Sequence, residues 1–86
     1  MGSPVCRIND EGDHGGVITT GSPDTYANGR RVARVGDTFE CLIHGPNPLA
    51  TGSATVKCNG RAVVRIGDTA ECGAVMITGS PNVYAG

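Results

Sequence analysis

The sequence predicts a small all-β domain, a cone or trigonal prism of short antiparallel strands with pseudo-three-fold internal repeats. Three observations predict it. Fourteen glycines and five prolines in 86 residues punctuate the chain too often for helices. Two Asn-Gly pairs, Asn28-Gly29 and Asn59-Gly60, sit between short β-branched runs. Asn-Gly is the strongest short hairpin signal, because a type I′ turn needs positive φ at both central residues. Finally, one sequence unit recurs, and pieces of it open and close the chain. The strands expected from β-branched content are residues 5–8, 17–20, 31–35, 54–57, 62–66 and 75–78.

The repeat appears when Gly21-Ser22 is laid on Gly52-Ser53, an offset of 31 residues. Asn28-Gly29 then falls on Asn59-Gly60, Arg34-Val35-Gly36-Asp37 on Arg65-Ile66-Gly67-Asp68, and Glu40-Cys41 on Glu71-Cys72. A third copy is split. Arg7-Ile8-Asn9-Asp10 matches the Arg-to-Asp segment, and Gly79-Ser80-Pro81 matches Gly21-Ser22-Pro23, which places Tyr84-Ala85 on Tyr26-Ala27. The missing Asn-Gly hairpin falls where the sequence begins and ends. Three units that cannot bury their faces alone must close on one another. Residues 1–86 are therefore expected to form a single domain, with residues 4–8 pairing antiparallel to residues 82–85 to rebuild the third hairpin.

Within the repeat, Cys6, Ala33 and Val64 are equivalent, as are Ile8, Val35 and Ile66. Strand alternation puts both sets on one face, the expected core. Arg7, Arg34 and Arg65 then point to the other face with Val5, Val32 and Val63. This core is thin, with no Trp, one Phe and two Tyr. Small scaffolds with weak cores usually need a staple.

Net charge is −1, so no basic field attracts nucleic acid or an anionic membrane. No apolar run approaches the roughly 18 residues of a membrane span. Met1-Gly2-Ser3-Pro4 lacks the basic and apolar regions of a signal peptide. The expectation is a chain made in the cytoplasm, where cysteines are reduced or metal-bound rather than paired.

The staple has a candidate. Seven residues after each repeat's Arg come His14, Cys41 and Cys72. In a three-fold ring these equivalent side chains can converge on the axis, and all are good transition-metal ligands. A closed tetrahedral site needs a fourth. His14 to Gly21 and Cys72 to Gly79 are both seven residues, whereas Cys41 to Gly52 is eleven. The four extra residues fall where His44 lies, so the middle unit supplies two ligands. Two thiolates and two imidazoles favour zinc, one per chain, with iron the second candidate. Each Arg-to-Asp segment runs from its hairpin toward its ligand position. The metal therefore lies near one apex, and the hairpins and chain ends lie at the opposite end.

Other features read structurally. Cys6 aligns with Ala33 and Val64 and is a small core residue. Cys58 aligns with Ala27 beside a hairpin. A Cys6–Cys58 disulfide is the alternative for this pair. Asp37 and Asp68 follow Gly at strand ends, where a carboxylate accepts backbone hydrogens in a turn. No Ser-His-Asp, Walker or Rossmann pattern is present, and Gly15-Gly16 follows a His rather than a strand. The chain is not expected to be an enzyme.

Taken in order, these motifs resemble the PAAR family. The namesake tetrapeptide survives degenerately as Pro4-Val5-Cys6-Arg7, Arg31-Val32-Ala33-Arg34 and Ala62-Val63-Val64-Arg65. Stronger marks are Asp13-His14-Gly15-Gly16, Arg34-Val35-Gly36-Asp37, Cys41-Leu42-Ile43-His44-Gly45, the two Gly-Ser…Asn-Gly units and Glu71-Cys72-Gly73. The resemblance implies a metal-bearing cone that caps the trimeric VgrG spike of type VI secretion, one chain per trimer, or the equivalent tip of a phage tail spike. Its partners would be the spike, secreted effectors and, transiently, a target-cell membrane. The cone would leave the cytoplasm with the spike through the injection apparatus. Family members often carry a fused toxin domain, for which this sequence has no room. Family sites are often richer in His, so Cys41 is a departure. Two other classes compete with this reading. A zinc hydrolase would need an open coordination position and a general base. A free-standing zinc-binding or toxin-neutralising module would bind no spike.

Overall fold

The structure is a computed structural model and describes residues 2–86. Among the described residues nine short strands form: β1 (Ser3–Pro4), β2 (Gly16–Ile18), β3 (Tyr26–Ala27), β4 (Arg30–Arg31), β5 (Thr38–Cys41), β6 (Gly45–Pro48), β7 (Lys57–Cys58), β8 (Arg61–Ala62) and β9 (Tyr84–Ala85). No helix occurs among the described residues. Both Asn-Gly pairs make the expected turns, with φ of 56° and 79° at Asn28-Gly29 and 55° and 78° at Asn59-Gly60. β3–β4 pairs Tyr26 with Arg31 and Ala27 with Arg30, and β7–β8 repeats that register. β1–β9 repeats it again, with Pro4 opposite Tyr84 and Ser3 opposite Ala85. The third hairpin is thus rebuilt from the two ends of the sequence. Its pairing stops earlier than expected, at Val5, whose amide donates to the Val83 carbonyl (2.9 Å).

Beyond that point the chain turns to its neighbours. Arg7 bridges to Val32, Arg34 to Val63 and Arg65 to Val5, each antiparallel. Between these bridges the Cys6 amide donates to the Val64 carbonyl, Val64 to Ala33 and Ala33 to Cys6, at 2.9–3.0 Å. The ring is closed. This explains why residues 5–8, 31–35 and 62–66 are bridges rather than long strands. Each segment bridges to one neighbouring unit through its Val and, two residues on, to the other through its Arg.

Each unit is locked by one ionic corner. Asp10, Asp37 and Asp68 accept hydrogen bonds from the amide of their own unit's Arg (2.7–2.9 Å) and from its Nε (2.9 Å). The expected turn role of Asp37 and Asp68 holds, with an ion pair added. Burial would raise these carboxyls, but the Arg hydrogen bonds outweigh it and hold all three below the usual carboxylate range. The guanidiniums also donate across units, Arg7 to Asn28 Oδ1 (3.2 Å) and Arg34 to Asn59 Oδ1 (3.3 Å). In the third unit the Gly86 carbonyl takes the place of the Asn (2.8 Å from Arg65 Nη1). The corner needs a left-handed residue, supplied by Gly36, Gly67 and, in the first unit, Asn9 at φ 73°.

Two apolar clusters result. Cys6, Ala33 and Val64 sit in one with Ile18, Phe39, Cys41, Leu49, Ala70, Ala74 and Met76. The face opposite the expected core is buried as well. Val5, Val32 and Val63 form a second cluster with Ala27, Cys58 and Ala85, because the three hairpins fold under the ring. Arg7 and Arg34 are buried with them. The middle insertion also exceeds expectation. It is a β5–β6 hairpin that joins β2 in a three-stranded sheet ordered β2-β5-β6. Residues 54–57 and 75–78 contribute only Lys57 to a strand and Val75 and Met76 to isolated bridges.

Candidate metal centre

The four nominated side chains meet at the end of the first cluster. Alternation along β5 turns Phe39 and Cys41 inward together. Cys41 pairs with Gly45 across the turn that carries His44, and Gly45 takes φ 77° to make that turn. β2 holds the first unit against β5, with Gly16 opposite Cys41. His14 is placed by Asp13, whose amide donates to the Val75 carbonyl (2.9 Å) and whose Oδ1 accepts the Val75 amide (2.8 Å). Cys72 is placed by the insertion: its amide donates to Asn47 Oδ1 (3.0 Å), and the Glu71 amide donates to the Pro48 carbonyl (2.8 Å). Each of the three units is therefore gripped by another beside its donor.

The donor atoms of His14, Cys41, His44 and Cys72 all lie within 4.8 Å of one another. Cys41 Sγ is 3.5 Å from His44 Nδ1 and 3.9 Å from His14 Nδ1. Zinc–sulfur and zinc–nitrogen bonds of about 2.3 and 2.05 Å at the tetrahedral angle put S and N about 3.6 Å apart. The two measured separations bracket that edge, so this donor set can hold a metal. Bound by all four, a metal would have a complete tetrahedron of protein donors and no position for substrate water.

Electrostatics suit a cation. Burial would raise the Cys41 thiol, but hydrogen bonds from the His44 amide and imidazole, the Ile43 amide and His14 pull it down to about 6. A thiolate is the form a metal needs. His14 Nε2 lies 4.0 Å from Asp13 Oδ1, close enough for the carboxylate to favour positive charge nearby. Cys41 is buried, His14 and Cys72 half-buried and His44 exposed.

Three features escape the sequence reading. Asn47 is half-buried and frames the site, donating to the Phe39 and Gly45 carbonyls while accepting from Cys72. Its place in the four-residue surplus marks it as inserted, but nothing in the sequence marks it as a frame. Leu42 and Ile43 stand exposed at the tip of the insertion, 81% and 68%. At the far end, Tyr26, Val56, Val83 and Tyr84 are exposed around a shallow depression of about 170 Å³ floored by Val5, Val32 and Val63.

The remaining cysteines are free. Cys6 is wholly buried in the ring, its Sγ donating to the Thr78 carbonyl (3.3 Å), and burial pushes its thiol up to about 12. Cys58 lies in the other cluster, beside Asn59 Oδ1 (3.1 Å). The ring separates the two, and no Cys6–Cys58 disulfide forms. Among known families, one described as PAAR motif matches residues 8–78. No curated protein matches the chain significantly.

Proposed function

The chain belongs to the PAAR-motif family, a structural family of spike tips in type VI-like secretion systems, and from that premise we propose that it caps a trimeric VgrG spike as a metal-stapled cone. The PAAR family is a structural rather than an enzymatic family; PAAR proteins cap VgrG spikes and are delivered by the secretion machinery. In the proposed reading residues 1–86 act as one domain. His14, Cys41, His44 and Cys72 bind one zinc, and the hairpin end meets the spike, one cone per trimer. The chain is made in the cytoplasm and leaves with the spike, carrying effectors past the target membrane.

One observation carries this reading. The ring presents three hairpins in equivalent registers at the end away from the ligand cluster. A single chain thereby offers three similar faces to three identical subunits. The hairpin tips add edge strands and apolar side chains, the two ingredients of strand addition. Zinc at the other end ties the three units where the load falls during puncture.

Val56 and Val83 occupy equivalent positions on the hairpin face and are each 38% exposed. Their Asp variants should abolish co-purification with the cognate trimer while leaving metal content and melting temperature unchanged. Pro46→Asp, on the exposed insertion, should bind normally. Loss of binding by Pro46→Asp with retention by the Val variants would reverse the orientation. A folded cone that binds no trimer would remove the function.

A further inference from the structure

Two of the four donors are thiols, and they come from different repeat units. We propose that, once the metal is lost, Cys41 and Cys72 close into a disulfide that replaces the metal as a tie between the second and third units. This rests on the proposed metal site and on delivery out of the cytoplasm, which moves the cone from a reducing to an oxidising compartment.

Backbone pairing and hydrogen bonds place the two cysteines side by side. Cys41 is fixed by pairing on both sides, to Gly16 and to Gly45. Cys72 is fixed by its amide on Asn47 Oδ1 and by the neighbouring Glu71 amide on Pro48. The two sulfurs lie within 4.8 Å, so side-chain rotation has less than about 3 Å to close before reaching the ~2.05 Å of a disulfide. Cys72 is half-buried and open to an oxidant. Neither other thiol competes. Cys6 is wholly buried and engaged with the Thr78 carbonyl, and Cys58 is in the opposite cluster.

The step balances with a small-molecule disulfide such as oxidised glutathione. One cysteine thiolate attacks a glutathione sulfur and expels one glutathione thiolate. The second cysteine thiolate attacks the mixed disulfide and expels the other. Two electrons pass from the protein sulfurs to glutathione, and the two thiol protons go to solvent or to the departing thiolates. The metal leaves with its charge unchanged, and His14 and His44 become free imidazoles. The new tie omits the first unit, which contributed only His14. Thermal stability should therefore fall in the order metal-bound, oxidised metal-free, reduced metal-free.

The test uses the full chain with Cys6→Ala and Cys58→Ala, changes that the repeat already makes at Ala33 and Ala27. Metal content of the reduced protein is measured first, and its absence sinks the metal site without touching the disulfide measurement. After chelation the protein is equilibrated in glutathione buffers, with and without concentrated urea, alkylated and mapped by mass spectrometry. We expect an intramolecular Cys41–Cys72 bond whose formation constant is about tenfold or more larger in native buffer than in urea, about 30 mV in potential. Equal constants, a stable glutathione adduct, a disulfide-linked dimer or an oxidised form that melts no higher than the reduced metal-free form would each overturn the proposal.

Discussion

Removing Asp37 should cost far more than removing its equivalent Asp68, although the two occupy the same place in the repeat. Asp37 accepts from the Arg34 amide (2.8 Å), Nε (2.9 Å) and Nη2 (3.0 Å), and from Thr20 Oγ1 (3.1 Å). Only 9% of the Arg34 side chain is exposed, so Asp37→Ala leaves a guanidinium buried without its counter-ion. Breaking a buried pair costs about 3–5 kcal/mol. At the size of this domain each kcal/mol moves the melting temperature by roughly 4–8 °C, so a loss of roughly 12–40 °C is expected. The Arg65 side chain is 23% exposed, and its Nη2 contacts to Asp68 and the Gly52 carbonyl are longer, 3.3 and 3.5 Å. Water can solvate that guanidinium once Asp68 is gone, so about 1–2 kcal/mol is expected there, roughly 4–16 °C. Thermal unfolding followed by circular dichroism, in metal-replete buffer with metal content measured on each variant, makes the comparison. A loss for Asp68→Ala equal to or larger than that for Asp37→Ala would refute the reasoning, because exposure would then not set the cost.

The same pair predicts a pH dependence. The Asp37 carboxyl sits below its unfolded value of about 3.9, so its contribution is complete above that pH and drains away as pH falls through the lower folded value. The melting-temperature gap between wild type and Asp37→Asn should therefore be constant from pH 5 to 7 (about neutral and mildly acid conditions) and shrink below about pH 4; a gap that widens on acidification contradicts this. Cys72→Ser should lower both metal content and melting temperature, whereas Cys58→Ser should leave metal content intact, as elemental analysis will report. Asn47→Ala removes the acceptor of the Cys72 amide and should weaken metal binding by about 10–100-fold in a chelator competition, with unchanged affinity counting against a framing role.

The ring was legible because its marks are chemical necessities repeated at fixed spacing. Asn-Gly turns need positive φ, the Arg–Asp corner needs both partners, and three of the candidate ligands, His14, Cys41 and Cys72, follow their unit's Arg by seven residues. The same logic placed Cys6 among Ala33 and Val64 and identified four side chains that do come together. What stayed hidden depends on neighbours in space. β6 carries Pro46 and Pro48, which argue against a strand in sequence, yet it lies on the outer side of β5, where a missing amide is tolerated. Val5, Val32 and Val63 alternate as a solvent face would, and only the fold-under of the hairpins buries them. Asn47 resembles any loop polar residue until the Cys72 amide is found against it.

The closed ring also sets the order of events during synthesis. Pro4 pairs with Tyr84, and the Val5–Arg65 bridge joins residues from opposite ends of the sequence. Contacts of such long sequence separation form late and fold slowly. A chain emerging from the ribosome can make the β3–β4 and β7–β8 turns early, since each is local. It cannot close the hoop until the last strand has cleared the exit tunnel. Until then Val5 lacks its partner Val83, leaving an open sheet edge prone to stray pairing. Closure of the hoop is in this sense all-or-none: it waits on β9 and then seals β1 at both of its neighbours.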